Sequence, residues 1–192
     1  MYSPSKIMSL VKLAENGQIQ PKGNLEDADE LIGFSFGLIL DERGQLKSSG
    51  PVNHALAKFI VGNEILREKN MSLQEEIATA VQQEDRTLSD QIDSLKTIKK
   101  PGQTYNTHEL IETVKPELLA RGVGKLAVIA FRYHLPRAEA EVRKAGFETL
   151  LPDLSNVGDF DPISPQYQAR SQEDWIKRER IVIPLFAILN RI

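Results

Sequence analysis

Apolar residues follow a helical spacing at the start of the chain and form strand-length runs further on. Over residues 5–14 they lie three or four positions apart, which predicts a leading helix that stops at Gly17. The apolar run over residues 30–40 has the length of a buried strand. Pro51 then opens a segment with helical spacing that continues to residue 66. The first third of the chain therefore predicts helix, strand, helix.

The middle of the chain repeats this alternation with weaker signals. A short strand is predicted over residues 71–74, with helical spacing from Glu75 onward. Residues 94–100 read as another short strand. The helix that follows should stop at Gly122, and Pro116 should kink or split it.

The last predicted strands carry the clearest pattern. Residues 125–131 form a continuous apolar run suited to burial on both faces, and a helix closed by Gly146 separates it from a strand over residues 147–152. Alternating strands and helices with apolar strands predict an α/β fold around a mostly parallel sheet covered on both sides. Ligands bind such sheets outside the carboxyl ends of the strands, which directs attention to the loops after Leu40, Ile98 and Phe131.

Length and the pattern together predict one domain over residues 1–192. Its parts are a leading helix and linker (1–24), an α/β core (25–152) and a C-terminal extension packed on the core (153–192). The extension ends in an apolar run, Ile181–Leu189, that is too short to span a bilayer.

Composition narrows the function classes. A net charge of −3 offers no basic surface for nucleic acid, and the absence of cysteine excludes disulfides and thiolate chemistry. Three histidines without metal-ligand spacing predict no metal site. Lys6 and Lys12 interrupt the N-terminal apolar pattern, so no secretory signal is predicted, and the expected location is cytoplasmic. The sequence does not indicate an oligomeric state.

The stretch AFRYHLPRAEAEVRKAGF, residues 130–147, carries the first candidate chemistry. Pro136 suits the start of a helix, which leaves His134 in the loop at the strand's carboxyl end and places Arg137 in the first helical turn. His134, Arg137 and the helix amides could converge on one phosphate or carboxylate. A histidine whose ring is satisfied by backbone groups is the alternative.

Further candidates lie in the other two loops. In YNTHE, Asn106 and Glu109 predict a capping box, and the same polar cap, with Thr107, could hold a ligand hydroxyl or amino group. The segment GFSFG contains Gly33 and Ser35, and its glycines would allow the backbone to approach a ligand closely. The alternative is that the glycines allow neighbouring elements to pack tightly. Glu76 is a candidate base or ligand contact, although adjacent carboxylates such as Glu75 and Glu76 are usually solvated.

YNTHE and AFRYHLPRAEAEVRKAGF together resemble motifs of the bacterial YdcF, SanA and ElyC family, whose domain has no established reaction. The resemblance covers roughly residues 30–152. It implies a Rossmann-like three-layer sandwich in which a shared cleft is faced by Asn106, Thr107, Glu109, His134 and Arg137. It also implies two functional directions, S-adenosylmethionine binding and cell-envelope biogenesis.

Two functions are expected from these observations. The first is small-molecule binding in the cleft, of S-adenosylmethionine or of a nucleotide-like or phosphorylated ligand. Arg137 would anchor negative charge, and His134 would be the general acid or base if the protein is an enzyme. The alternative is a non-catalytic envelope factor that docks at the membrane surface through Trp175, a group of basic residues and the apolar run Ile181–Leu189.

Overall fold

Five parallel strands form the central sheet in this computed structural model, which describes residues 3–17, 19–43, 46–100, 103–189 and 191–192. The strands of the described chain are β1 (Glu30–Phe34), β2 (Ile39–Leu40), β3 (Leu46–Ser48), β4 (Asn70–Gln74), β5 (Ile92–Leu95), β6 (Ile98–Lys100), β7 (Gln103–Thr104), β8 (Lys125–Ala130) and β9 (Glu148–Leu150). The helices are α1 (Pro4–Asn16), α2 (Gly50–Gly62), α3 (Glu64–Arg67), α4 (Glu75–Glu84), α5 (Thr107–Ala120), α6 (Leu135–Lys144) and α7 (Gln172–Ile188).

The sheet order is β5-β4-β1-β8-β9, and every neighbouring pair in it is parallel. From β1 the chain moves outward to β4 and β5, then returns to β8 and continues to β9 on the other side. Right-handed crossovers place the helices of the two halves on opposite faces of such a sheet. Accordingly α2 packs on α4 and α5 packs on α6. The protein is a Rossmann-like three-layer α/β sandwich, as predicted.

The core lies at the two central strands. All five residues of β1 are buried, as are the last five of β8. Strands with both faces covered need apolar side chains on both sides, which explains the continuous apolar runs in the sequence. The terminal helices α1 and α7 pack on each other and form a smaller apolar cluster with Ala140 of α6.

Two strand predictions were wrong in their extent. The run over residues 30–40 leaves the sheet after Phe34, and Ile39–Leu40 pairs with β3 in a separate two-stranded sheet. The break follows from Asn53 of α2, whose side chain accepts from Phe36 N at 2.9 Å and donates to the carbonyl oxygens of Phe36 and Gly37. These backbone groups are therefore bonded to a side chain and not to a neighbouring strand.

The predicted strand over residues 94–100 is likewise two elements. β5 ends at Leu95 in the central sheet, whereas β6 pairs with β7 in a separate hairpin. The loop at the carboxyl edge therefore begins at Lys96, before the Ile98 boundary that the sequence suggested. α5 runs unbroken through Pro116 and α7 through Pro184, so of the kink or split expected at Pro116 the split does not occur.

Gly17 ends α1 at a close contact with the loop after β8. Its φ of 59° is left-handed, and a Cβ there would lie 2.8 Å from the Tyr133 ring. Gly17→Ala is therefore expected to lower the free energy of unfolding by about 2–4 kcal/mol, from backbone strain and the clash together. Urea unfolding followed by Trp175 fluorescence measures the loss.

Gly122→Ala is the matched control for this substitution. Gly122 follows α5 with φ 79°, and nothing in the described structure lies within 4 Å of a Cβ at that position. Only the backbone strain applies there, so a loss of about 1 kcal/mol is expected. Equal losses for the two variants would show that the Tyr133 contact does not constrain residue 17.

Candidate functional site

A cleft lies at the carboxyl edge of the sheet, where the strand order reverses between β1 and β8. Doubly wound sheets bind their ligands at this position. The cleft encloses a cavity of about 150 Å³. It is lined by the segments after β1, β4, β5 and β8, by the start of α5 and by the C-terminal extension: Ser35, Phe36, Gly37, Leu38, Gln74, Thr97, Thr104, Tyr105, Asn106, Thr107, His134, Arg137, Gln166, Gln168, Ala169, Trp175 and Arg178.

Five of the eight residues that the sequence singled out line this cavity: Ser35, Asn106, Thr107, His134 and Arg137. The other three, Gly33, Glu76 and Glu109, do not line it. Gly33 sits inside β1, where a Cβ would come within 2.6 Å of the Leu73 side chain, so close packing explains the glycine. The sequence had left open both this explanation and the approach of a ligand.

One wall is a chain of hydrogen bonds across the ends of β1, β4 and β5. Gln74 Oε1 accepts from Ser35 N at 2.7 Å, and Gln74 Nε2 donates to Thr97 Oγ1 at 3.2 Å. The Thr97 hydroxyl donates to Glu76 Oε2. Each polar group of Gln74 is thereby fixed, and Ser35 and Thr97 are held at the cleft surface.

The expectation that Glu76 is solvated was wrong. Its side chain is fully buried at the start of α4, and Oε1 has no hydrogen-bond partner in the described part of the chain. Burial raises the pKa of the Glu76 carboxyl, against the opposing hydrogen bond from Thr97. Glu75 beside it is half-buried. Glu76 therefore holds Thr97 in the cleft wall and does not itself line the cavity.

The start of α5 forms the second wall. The predicted capping box is confirmed, since Asn106 Oδ1 accepts from Glu109 N and Glu109 Oε2 accepts from Asn106 N, both at 3.0 Å. Lys99 lies 2.7 Å from the same carboxylate. Partial burial alone would raise the pKa of Glu109, but the Lys99 ammonium and the Asn106 amide together lower it. Glu109 fixes the cap and leaves Asn106 and Thr107 at the cavity.

His134 lies where the sequence placed it, in the loop directly before α6. Its Nε2 is 3.1 Å from Thr107 Oγ1, and its ring contacts Phe34 and Trp175. Burial, and then the nearby charges of Arg137 and Arg178, lower the pKa of His134 well below its usual value. The imidazole is therefore neutral at pH 7, and its Nδ1 has no partner within the described ranges.

Arg137 lines the cavity but is almost fully buried, because it belongs to an ion cluster. Its Nη1 donates to Glu141 Oε1 and its Nε to Glu179 Oε2, each at 2.8 Å. Arg178 Nη1 donates to the other oxygen of Glu179. Burial raises the pKa of Glu141 to about 7, although Arg137 opposes that shift, and the same two carboxylates raise the pKa of Arg137 against the effect of burial.

The amides at the start of α6 are not free for an anion, contrary to the expectation from Pro136. His134 N and Leu135 N both donate to Phe131 O, and Arg137 N donates to His134 O. The chain itself therefore satisfies this helix terminus. An anion in the cleft would face side chains here and not amides.

Several residues that build the cleft were missed from the sequence. Gln74 and Thr97 are ordinary polar residues at strand ends, and nothing local marks their pairing. Trp175 and Arg178 entered the sequence analysis only through the alternative of a membrane contact, whereas Trp175 Nε1 donates to Tyr133 O at 3.1 Å and both residues line the cavity. The C-terminal extension thus closes one side of the cleft.

No family model matches this chain, and no curated protein or solved structure matches it either. The resemblance to the YdcF, SanA and ElyC family stays a prediction. Within the described ranges, no three His, Asp or Glu side chains come together in a way that could hold a metal ion. None of the helices in these ranges is long and apolar enough to cross a membrane.

Removing one carboxylate of the ion cluster is expected to be costly. Glu179→Gln leaves two buried or half-buried arginines, Arg137 and Arg178, with too little negative charge, and should lower the free energy of unfolding by about 3–5 kcal/mol. Glu173→Gln on the same helix removes only an exposed partner of Lys177, so about 0.5 kcal/mol or less is expected. Urea unfolding compares them, and similar losses would contradict a structural role for the cluster.

Proposed function

We propose that the protein binds a small polar ligand carrying a carboxylate or phosphate group in the cleft between β1 and β8. The observation that supports it is the convergence of Ser35, Thr97, Thr107, His134 and Arg178 on one cavity at the switch point of a parallel sheet. Polar groups that converge in a concave site are typical of ligand binding. A cytoplasmic location, as the sequence predicts, would suit a soluble metabolite.

Charge favours an anionic group on the ligand. Burial, and then repulsion from Arg137, lower the pKa of Arg178, so its guanidinium lacks full compensation from Glu179. A carboxylate or phosphate in the cleft would supply the missing negative charge. Arg178 is therefore the better anchor, because Nε and Nη1 of Arg137 already donate to carboxylates.

Size sets the ligand class. The cavity of about 150 Å³ is smaller than the roughly 300–1,000 Å³ of sites that enclose drug-sized ligands. Sugar phosphates and small carboxylic acids suit it without rearrangement. S-adenosylmethionine, which the family resemblance suggests, and nucleotides would need the segment around residues 166–169 to move. The neutral imidazole of His134 would act as the general base in a reaction on the bound ligand, and its protonated form would return the proton as the general acid.

A thermal-shift panel of inorganic phosphate, sugar phosphates, nucleotides and S-adenosylmethionine tests the proposal. A ligand present at about 100 times its Kd adds about 2.7 kcal/mol, which corresponds to a rise in Tm of roughly 5–10 °C for a chain of this size. Arg178→Gln should abolish most of that rise. Arg180→Gln, the control, changes an exposed arginine outside the cavity that pairs with Glu15.

Two outcomes would count against ligand binding in the cleft. One is a panel in which nothing raises the Tm of the unaltered protein. The other is an equal response of the Arg178→Gln and Arg180→Gln variants, which would place any binding elsewhere.

A membrane-surface role is the second candidate, because part of the C-terminal apolar run is exposed. Ile183 and Phe186 are buried against α1, but Ile181, Leu185 and Ile188 expose 69%, 46% and 75% of their surface. These three lie four and three residues apart and share one face of α7. Lys177, one turn earlier, lies on the same face and pairs with Glu173 at 2.7 Å, so the face is mainly apolar and suited to contact with a lipid surface.

Sedimentation with vesicles containing phosphatidylglycerol tests this candidate. The triple variant Ile181→Ser, Leu185→Ser, Ile188→Ser should lose binding while the buried face of α7 stays intact. Leu119→Ser, which changes a similarly exposed leucine on α5, is the control. If the unaltered protein and the triple variant partition equally, the exposed face does not bind membranes.

A further inference from the structure

Thr107 and His134 form a hydrogen-bonded pair whose chemistry goes beyond ligand binding. Thr107 Oγ1 lies 3.1 Å from His134 Nε2, and both residues line the cavity although only 8% and 5% of their surfaces are exposed. Thr107 is the first residue of α5, and His134 directly precedes α6. A hydroxyl within hydrogen-bond reach of an imidazole is the arrangement that activates a nucleophile.

We propose that Thr107 is a nucleophile and His134 its general base, and that the pair transfers the acyl group of a small carboxylic ester to water. This inference rests on the proposed function, because it uses the same cleft and the same histidine. It adds the reacting atom, Thr107 Oγ1, and the class of substrate.

The surroundings of the pair suit this chemistry. Burial and the charges of Arg137 and Arg178 lower the pKa of His134, so its imidazole is neutral and Nε2 can accept the hydrogen bond of the Thr107 hydroxyl at 3.1 Å. Arg137 Nη1 lies 3.4 Å from the same Thr107 oxygen, where its positive charge favours the developing alkoxide. Helix geometry leaves the amides of Thr107 and His108 without partners in α5, next to the site where an oxyanion would form.

The reaction balances without any group beyond the ester and water. Thr107 Oγ1 bonds to the ester carbonyl carbon, its proton passes to His134 Nε2, and the carbonyl oxygen becomes an oxyanion. Collapse breaks the bond to the alcohol oxygen, which leaves with the proton from His134. Water then attacks the threonyl ester, gives its proton to His134, and releases the carboxylic acid as the threonine hydroxyl is restored.

A purely structural role for the Thr107–His134 hydrogen bond explains fewer of these observations than the catalytic role does. His134 Nδ1 is buried without a partner in the described chain, and such a group costs about 1–3 kcal/mol. The capping box fixes the start of α5 through Asn106 and Glu109, so Thr107 is not needed to hold the helix terminus.

Acetylation by p-nitrophenyl acetate tests the proposal on the intact protein. Intact-mass measurement after rapid quenching should show one acetyl group, and peptide mapping should place it on Thr107. Thr107→Val should lose that adduct, and Thr107→Ser should keep it. Thr113→Val, which changes an exposed threonine on the same helix, should behave as the unaltered protein does.

The histidine is tested by the rate of acetylation. His134→Gln should slow the reaction at residue 107 by about 10²- to 10⁴-fold, as expected for the loss of a general base. His54→Gln, a half-buried histidine of α2 that does not line the cavity, is the control and should leave the rate unchanged. An unaltered rate in His134→Gln would overturn the role of the base.

The outcomes separate this inference from ligand binding. No adduct on Thr107 of the unaltered protein, or an equal burst of p-nitrophenol from Thr107→Val, overturns the nucleophile. If ligands of the thermal-shift panel still raise the Tm in that case, the binding function stands alone. If neither acetylation nor a shift in Tm occurs, both fail. Circular dichroism of each variant confirms that it is folded before the comparison.

Discussion

Arg137 is buried at the start of α6 and donates to one carboxylate on its own helix and to another on α7. Taking charged groups out of water costs several kcal/mol for each ion, and only well-placed partners recover that cost. α7 therefore cannot move away without leaving Arg137 unpaired in an apolar interior. Trp175 lies one turn before Glu179 on the same helix, so the interaction that holds Glu179 also holds the indole against His134.

The same arginine sets the electrostatics of the cleft. Its charge adds to burial in keeping the pKa of His134 low, and it adds to burial in lowering the pKa of Arg178, which lines the cavity. A neutral imidazole beside the Arg178 guanidinium is the basis for the proposal that the cleft binds an anion. A protonated histidine at this position would add a third positive charge and lose the capacity to act as a base.

Local sequence signals predicted the elements and failed where a distant partner decides the outcome. Asn106 with Glu109 predicted a helix start correctly, because a cap lies within four residues of the groups it satisfies. The strand at residue 30 was predicted too long, because Asn53 captures the backbone after Phe34 from another helix. No pattern around Glu76 indicates that it meets Thr97, 21 residues later.

In the candidate site, too, the sequence predicted what nearby residues determine and missed what distant partners determine. His134 and Arg137 were placed correctly relative to α6, since Pro136 acts on its immediate neighbours. One of the two carboxylate partners of Arg137 is Glu179, 42 residues away, and this contact makes an expected anion anchor part of the protein's own ion cluster. The cluster also explains why the C-terminal apolar run divides its residues between burial and exposure. By pairing with Glu179, Arg137 fixes how α7 is rotated about its own axis. In that orientation Ile183 and Phe186 point inward, and Ile181, Leu185 and Ile188 point outward.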